Sequence, residues 1–561
     1  MIKRNLHWLI YILFIGSCAK QTSPTGGPKD TIPPSLVSAS PRQGTINFTG
    51  KNLRLEFSEL ITLNNAREQI IITPTIGKEF EASAKKNIVT LEFNAPLEDS
   101  TTYTFNFRES VQDITEKNPA RNLKLAVSTG TYIDSISISG IVYDLLTGKE
   151  AEDATVAIHI PNDTFSILKH PAIYFTKTNK TGRYKIENLK AQTYYAYAIA
   201  DKNRNLIADS RSESYGFLKD PIHLIVDTSK INIPLVRLDT RPLAITSARP
   251  YNTYFNIKAT KNLKDFQITA PDDTHLSYGL GDDPSSIKVY NTLDSRDSLA
   301  IRLIAHDSVG NTLDSILYAK FSNREVTPET FNYTISESSL IAHKGILKAT
   351  MTFAKPVEEI NFDSLFFRVD SATTIRFSRE DLQYNQSIKQ LTILKQVDKA
   401  LFMQENPDEQ RMVPGKQSVT PQPATKINEL YFGQGAFISI ENDTSKRSIQ
   451  KITPQQLNEL SVILFDVRTE ERSFIVQLVD KNLKVVQEKI NIKKGQFDDL
   501  QSGQYSLRVV IDRNQNGQWD PGNYDQNEEP EPIFYYREDK KNSPVINLKS
   551  NWELGPLLIT S

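Results

Sequence analysis

Residues 497–520 read FDDLQSGQYSLRVVIDRNQNGQWD, and residues 186–209 read IENLKAQTYYAYAIADKNRNLIAD. The two align without a gap. Leu189 falls on Leu500, Tyr194 on Tyr505 and Ile199 on Val510. Beyond the apolar run, Asp201, Asn203, Asn205 and Asp209 fall on Asp512, Asn514, Asn516 and Asp520. Shared polar positions at one fixed offset after a matching strand mark an internal repeat. In the later copy Tyr505, Leu507, Val509 and Ile511 sit at every second position, the period of a strand. The chain therefore carries two copies of one β unit, and each copy ends this strand in a loop of oxygen-bearing side chains.

That loop has two readings. Oxygens at positions 1, 3, 5 and 9 begin a calcium loop, so Asp512, Asn514, Asn516 and Asp520 are a candidate Ca2+ site. Asp201, Asn203, Asn205 and Asp209 are a weaker one, with Leu206 standing where the later copy has Gly517. Calcium takes about six to eight oxygens, and a helix-flanked loop supplies a bidentate glutamate at position 12. Here that position holds Asn523 in one copy and Ser212 in the other. The second reading is turn closure. Asn and Asp side chains accept from their own backbone, and Asn516-Gly517 suits the positive φ of a tight hairpin. The acids Asp525, Glu528, Glu529 and Glu531 follow, either as further ligands or as a solvated acidic run.

Outward from the repeat, the pattern stays β. LRLEF (Leu53–Phe57), IVTLEF (Ile88–Phe93) and YTFNF (Tyr103–Phe107) each place apolar side chains on one face. Turn residues recur about every ten positions, as in sandwiches. SLAIRLIAHDSVGNTLDS (Ser298–Ser315) predicts a hairpin around Gly310-Asn311. Helical signal is confined to Pro454–Leu460 and Val397–Gln404, a turn or two each. With 561 residues, roughly four or five domains are expected. The fold class is all-β: an elongated multi-domain string of sandwiches with very little helix.

Lys and Arg total 66 against 67 acidic residues, so charge gives no basis for nucleic-acid capture. One cysteine, Cys18, excludes an intrachain disulfide and a cysteine-cluster metal site. No two of the seven histidines lie within five positions of each other, which excludes a short helical zinc pair. Nucleophile-elbow, zincin, P-loop and dinucleotide motifs are absent from the sequence, and a non-enzymatic role is expected.

The N-terminus MIKRNLHWLIYILFIGSCAK has Lys3 and Arg4, then an apolar run from Leu6 to Ile15, a secretory leader rather than a span. Ile15-Gly16-Ser17-Cys18 resembles the lipobox of bacterial lipoproteins. The resemblance implies cleavage before Cys18, acylation there, and anchoring in a membrane through acyl chains. Ala19, rather than aspartate, follows the cysteine, so the outer membrane is expected, on either its periplasmic or its outer face. AKQTSPTGGPKDTIPP is a flexible tether.

Three further resemblances follow from the motifs. The opening Pro-Pro, the turn Ser40–Gly44, the LEFSE strand and the closing STG resemble a bacterial immunoglobulin-like domain. SISGIVYDLLTGKEAEDATVAI (Ser137–Ile158) with Gly182-Arg183-Tyr184 resembles the carboxypeptidase-regulatory or transthyretin-like fold, a seven-stranded non-catalytic sandwich. The whole resembles a family of Bacteroidota outer-membrane lipoproteins. The units are then 1–17 (signal peptide), 18–34 (tether), 35–132 (Ig-like), 133–240 (transthyretin-like), 241–325, 326–455 with an exposed loop near 404–426, and 456–561 (second transthyretin-like).

Asp-Ser or Asp-Thr followed by a small or aliphatic residue recurs more often than composition predicts. It places candidate O-glycosylation at Thr31, Ser100, Ser135, Ser298, Ser308, Ser315, Ser364 and Ser371, by resemblance to the Bacteroidota acceptor tripeptide. Asp-Ser is also ordinary turn chemistry. Aromatic residues crowd the repeats: Tyr194, Tyr195, Tyr197, Tyr215 and Phe217, then Tyr505, Trp519, Tyr524, Phe534, Tyr535 and Tyr536. They either pack between strands or present a glycan or protein surface. The expected function is a lipid-anchored scaffold or interaction subunit of an outer-membrane complex, in protein assembly or transport. The alternatives are a surface adhesin or glycan binder, and an accessory component of an enzyme system.

Overall fold

The computed structural model describes residues 29–76, 80–251, 253–270, 276–291, 298–321, 327–402, 426–538 and 543–561. The protein is all-β, elongated and multi-domain, with one short α-helix, Ala66–Gln69, among the described residues. Pro454–Gln455 is a short strand and Leu457–Glu459 one 3-10 turn, and Val397–Gln404 yields only the 3-10 turn Lys399–Leu401 up to residue 402.

The first unit shows how alternation becomes a core. In Asn52–Phe57, Leu53, Leu55 and Phe57 point inward and are buried, while Arg54 stays exposed. That strand lies between Leu36–Ser40 and Ile88–Phe93, and Phe80–Lys85 completes the sheet. Ile71–Thr73, Thr102–Asn106 and Lys124–Ser128 form a second sheet on the same core, joined there by Phe105 and Val127. A small strand pair, Ile61–Leu63 with Val111–Asp113, ends in a turn closed by Asp113. Its Oδ1 accepts from the backbone N–H of Glu116 (2.6 Å) and Lys117 (3.0 Å), and its Oδ2 from that of Asn118 (2.9 Å). Burial opposes the charged form, but these donors outweigh it and hold the carboxyl down at about 2.

The two repeats share one topology, strand for strand. In the earlier copy Arg183–Leu189, Ile136–Asp144 and Ile233–Leu235 form one sheet. Tyr174–Lys177, Thr155–His159, Gln192–Ile199 and Tyr215–Phe217 form the other, with Ile222–Leu224 also on Gln192–Ile199. In the later copy the first sheet is Lys494–Leu500, Ser461–Arg468 and Glu553–Thr560. The second is Val485–Ile490, Phe474–Asp480, Gly503–Ile511 and Ile533–Tyr535, with Ile546–Leu548 on Gly503–Ile511. Each copy thus has eight strands, and each closes its smaller sheet with a parallel pair. Local backbone repeats too. Arg204 and Leu206 have φ of 60° and 61°, and their counterparts Gln515 and Gly517 have 61° and 75°.

The last unit returns to pack on the second. Tyr194, Ala196 and Ala198 fill the second unit's own core, whereas Tyr197 and Ile199 on the opposite face join a different one. That shared core holds Ala157, Tyr215 and Phe217 from the earlier copy and Ile475, Val510 and Ile533 from the later. Tyr524 meets Tyr215 and Phe217 edge-on, with ring centroids 6.3 and 5.1 Å away, and its hydroxyl accepts from the N–H of Ile167 (3.2 Å). The Tyr535 hydroxyl donates to the carbonyl oxygens of Leu145 and Leu146. Gly148 (φ 66°) lies under the Tyr535 ring, where an added Cβ would sit 2.6 Å from Cδ2. Buried Arg508 and Gln477 are paired, Arg508 Nε donating to Gln477 Oε1 (2.9 Å), and Arg508 Nη1 donates across the joint to the Leu146 carbonyl (3.4 Å).

Two further units lie between the repeats in sequence. The third has Ile245–Tyr251, Tyr254–Ala259, Ser286–Tyr290 and Ser277–Leu280 in one sheet, and Asp265–Thr269, Ser298–His306 and Thr312–Lys320 in the other. The hairpin turns at Gly310, φ 84°. Val309, at its tip, enters the core shared by the repeats. The fourth unit is built on Tyr333–Ile341, Ile346–Phe353 and Gln390–Gln396, against Leu365–Arg368 and Glu429–Phe432. Its joint to the third is polar. Buried Lys288 donates to Asp282 (2.8 Å) and Glu329 (2.7 Å) and lies 4.6 Å over the Tyr254 ring. Nearby, burial pushes the Lys389 ammonium down to about 8, and the Lys288 charge adds to the effect.

Two outcomes are expected. Tyr524→Ala removes the ring that joins the repeats and should cost about 2–4 kcal/mol in urea unfolding, against about 0.5 kcal/mol or less for exposed Tyr132→Ala. Asp113 has a depressed folded-state pKa, so its stabilisation is present above its unfolded value of about 3.9 and is lost as pH falls toward about 2. Asp113→Asn should therefore flatten the acid limb of a stability–pH curve over that window and lower the plateau above it.

Candidate functional site

In both copies the loop oxygens are turned onto the loop's own backbone. Asp512 Oδ1 accepts from Asn516 N–H (3.0 Å) and Oδ2 from Gly517 N–H (3.0 Å). Asn514 Oδ1 accepts from Asn516 N–H and Asn516 Oδ1 from Gln518 N–H. The earlier copy repeats this: Asp201 accepts from Asn205 and Leu206, Asn203 from Asn205, and Asn205 from Ile207. Asp520 accepts from the carboxamides of Asn514 and Asn516 (2.5 and 2.7 Å). Asp209 instead accepts from Arg211 N–H and the Ser212 hydroxyl, which together hold its carboxyl below the usual range.

A glutamate in each copy completes the loop, and spacing alone hides it. Glu213 Oε1 accepts from Lys202 N–H (2.8 Å) and Oε2 from Asp209 N–H (3.1 Å). Glu531 Oε1 accepts from Arg513 N–H (2.6 Å) and Oε2 from Asp520 N–H (3.0 Å), the equivalent pair. Both residues are buried. Glu213 follows Asp201 by 12 residues and Glu531 follows Asp512 by 19, because a small turn closed by Asn523 and Glu528 is inserted in the later copy. Burial pushes the Glu531 carboxyl up, and the Asp520 and Asp512 charges add to it against the two N–H donors. Among the described residues no group of three or more His, Cys, Asp or Glu side chains is arranged to hold a metal ion.

The aromatic residues of the repeats mostly pack. Tyr194, Tyr197, Tyr215 and Phe217 are buried, and Trp519, Tyr524 and Tyr535 lie on the shared core. Phe534, Tyr536 and Tyr505 lie on the last unit's own core. Trp519 Nε1 donates to the Glu531 carbonyl (3.0 Å), and its half-buried ring packs on the shared core. Tyr195 stacks on His159, 5.5 Å away. An outward aromatic pair stands elsewhere, on the fourth unit. Phe366 and Tyr431 stack at 4.6 Å, with Arg368 and Arg447 at 5.4 and 5.3 Å from the Tyr431 ring. Nothing in the local sequence pattern singles it out, because its members come from strands joined only by the sheet.

Among the acceptor candidates, Thr31, Ser100, Ser135, Ser298, Ser308 and Ser371 are exposed, and Ser315 and Ser364 are half-buried. Three of the preceding aspartates close turns: Asp30 accepts from Ile32 N–H, Asp307 from Val309 and Asn311, and Asp370 from Ala372 and Thr373. Cys18, its leader and the loop core near 404–426 lie outside the described residues, apart from Lys426. A polar cleft of about 320 Å³ lies between the first two units. Of its acids, Glu187 is committed to Lys124 (2.5 Å) and Lys185 (2.9 Å), and Asp227 accepts from Ser137 N–H (2.8 Å).

Residues 30–129 match the bacterial Ig-like domain family. Fold and match together define an all-β multi-domain protein whose first unit is a bacterial Ig-like domain. No curated protein matches the chain. Among solved structures the chain is similar to the Bacillus anthracis TIE protein, at 10% identity and a TM-score of 0.12, over 99% of this chain and 78% of that one. BcpA, the major pilin subunit of Bacillus cereus, aligns at 10% identity and a TM-score of 0.13, over 76% of this chain and 99% of its own. The BSP domain of a biofilm associated protein aligns at 9% and 0.14, over 89% and 96%.

Because buried Asp512 accepts from two backbone N–H groups of its loop, Asp512→Ala should lower the melting temperature by several degrees, a loss of about 2 kcal/mol. If the loop serves only to close the turn, the loss is equal in calcium and in chelator. A calcium-dependent rise in the wild type that disappears in the variant would make the loop a cation site.

Proposed function

We propose that the protein is a lipid-anchored, non-enzymatic scaffold of an outer-membrane complex, with a protein-assembly or transport machine as host. Cys18 acylation holds it at the membrane, and its sandwiches present interaction faces. The observation that carries the scaffold reading is the sheet-to-sheet closure of the two repeats, which ties distant parts of the chain into one framed body. On that frame the strand Thr312–Lys320 ends its sheet and exposes Ile316 (67%) and Tyr318 (66%). An exposed apolar edge strand is a site that other chains extend or cover.

Tagged protein extracted in mild detergent should bring down a stoichiometric outer-membrane partner. The Ile316→Lys/Tyr318→Lys double variant should lose that partner while melting as the wild type does, and Cys18→Ala should leave the membrane fraction. A clean wild-type monomer rejects the scaffold. Retention on surface polysaccharide, lost in Tyr431→Ala, would replace it with the glycan-binding adhesin, for which the outward Phe366–Tyr431 stack is the supporting feature.

A further inference from the structure

Lys355 is buried completely. It precedes the strand Val357–Ile360, whose partner Phe437–Ser439 leads directly into Glu441 and Asp443. A tight loop fixes the two acids. Ser439 N–H donates to the Asp443 carbonyl (2.9 Å), Asn442 N–H to the Ser439 carbonyl (2.9 Å), and Asn442 sits at φ 64°. Ile440 N–H donates to the Pro356 carbonyl (3.1 Å), so the loop is tied to the residue next to the lysine. The result places Lys355 Nζ 2.5 Å from Asp443 Oδ2 and in contact with Glu441 Oε2.

Two other buried lysines, Lys261 and Lys288, are satisfied differently. Lys261 pairs with Asp307, but that carboxylate also accepts from Val309 N–H, Asn311 N–H and the Asn311 carboxamide. Lys288 donates well-directed hydrogen bonds to Asp282 and Glu329, whose side chains reach solvent. Glu441 is unlike these partners. Both its carboxylate oxygens are cut off from solvent, and neither receives a directed hydrogen bond, although one touches the amine. A buried acid without donors is costly as a structural ion. It is suited to taking a proton from the amine it touches.

The geometry points to an intramolecular isopeptide bond between Lys355 Nζ and Asp443 Cγ, with Glu441 as the proton carrier. Glu441 takes a proton from the Lys355 ammonium and frees the nitrogen lone pair. The amine attacks Asp443 Cγ. Glu441 returns the proton to one carboxylate oxygen, the bonded nitrogen gives its second proton to the same oxygen, the C–O bond breaks, and that oxygen leaves as water. An ammonium and a carboxylate become an amide and one water, so atoms and charge balance without an oxidant or a co-reactant. A fully buried ammonium charge and a half-buried carboxylate charge vanish in the same step, which removes the desolvation cost of the ammonium. Burial and the rigid loop supply the proximity that lets an amine and a carboxyl condense without prior activation.

Trypsin digestion of the full chain tests this. Cleavage after Lys348 and Arg368, and after Lys426 and Lys446, gives peptides 349–368 and 427–446. Lys355 is followed by Pro356, so no cut is expected between them. The expected result is a single joined species, lighter than the summed peptides by one water, with fragment ions that place the link at Lys355 and Asp443. Lys355→Arg and Glu441→Gln, shown folded by circular dichroism, should yield the two peptides separately. Asp443→Asn should yield the same joined product, with ammonia leaving in place of water. Separate wild-type peptides at their full masses overturn the proposal. A joined pair in folded Glu441→Gln overturns the role of Glu441.

Discussion

The structure depends on the burial of one sheet of the second unit against one sheet of the last. The C-terminal halves of strands Gln192–Ile199 and Gly503–Ile511 therefore have no wet face: Ala198 and Val509 fill their own sandwiches, while Ile199 and Val510 fill the joint. Sheets covered on both sides carry continuous apolar runs, and such contacts are dominated by the apolar area removed from water. The constraint reaches outward. It makes Gly148 necessary beneath Tyr535, and it draws Val309 of the third unit into the joint. Residues 241–455 must therefore bridge two units that touch each other.

Within this frame the acidic side chains serve the backbone. One carboxylate at the start of each loop and one glutamate at its end bind N–H groups that no strand can satisfy. Buried donors left unpaired are expensive, and a carboxylate can take several at once. The two copies tolerate different residues in the left-handed position, glycine in one and Leu206 in the other. Leu206 packs onto the shared core, and this contact offsets the backbone cost of its conformation.

Much of this was legible from the chain. The alternation in Asn52–Phe57 gives the inward Leu53, Leu55 and Phe57, and the gapless repeat gives two copies that the strand order reproduces. The turn role of the Asp and Asn residues was one of the two readings the residue types allowed. What stayed hidden depends on contacts that no local period encodes. The run Val509-Val510-Ile511 is continuous rather than alternating, and this was the available sign of two-sided burial. Glu213 lies one position past the expected acid, and the inserted turn displaces Glu531 further. Lys355 and Asp443 are separated by 88 residues and meet only through strand pairing. The aromatic residues could pack or project, and the choice was made by a neighbouring unit hundreds of residues away.

The return of the last unit also sets an order of events. A chain made from its N-terminus completes the strands of the second unit long before Ile475, Val510 and Ile533 exist to cover Tyr197, Tyr215 and Phe217. Throughout that interval the nascent protein exposes an aromatic, sticky sheet face. Long-range contacts of this kind slow folding and lengthen exposure to aggregation. That face stays open to aggregation until the strands of the last unit are made.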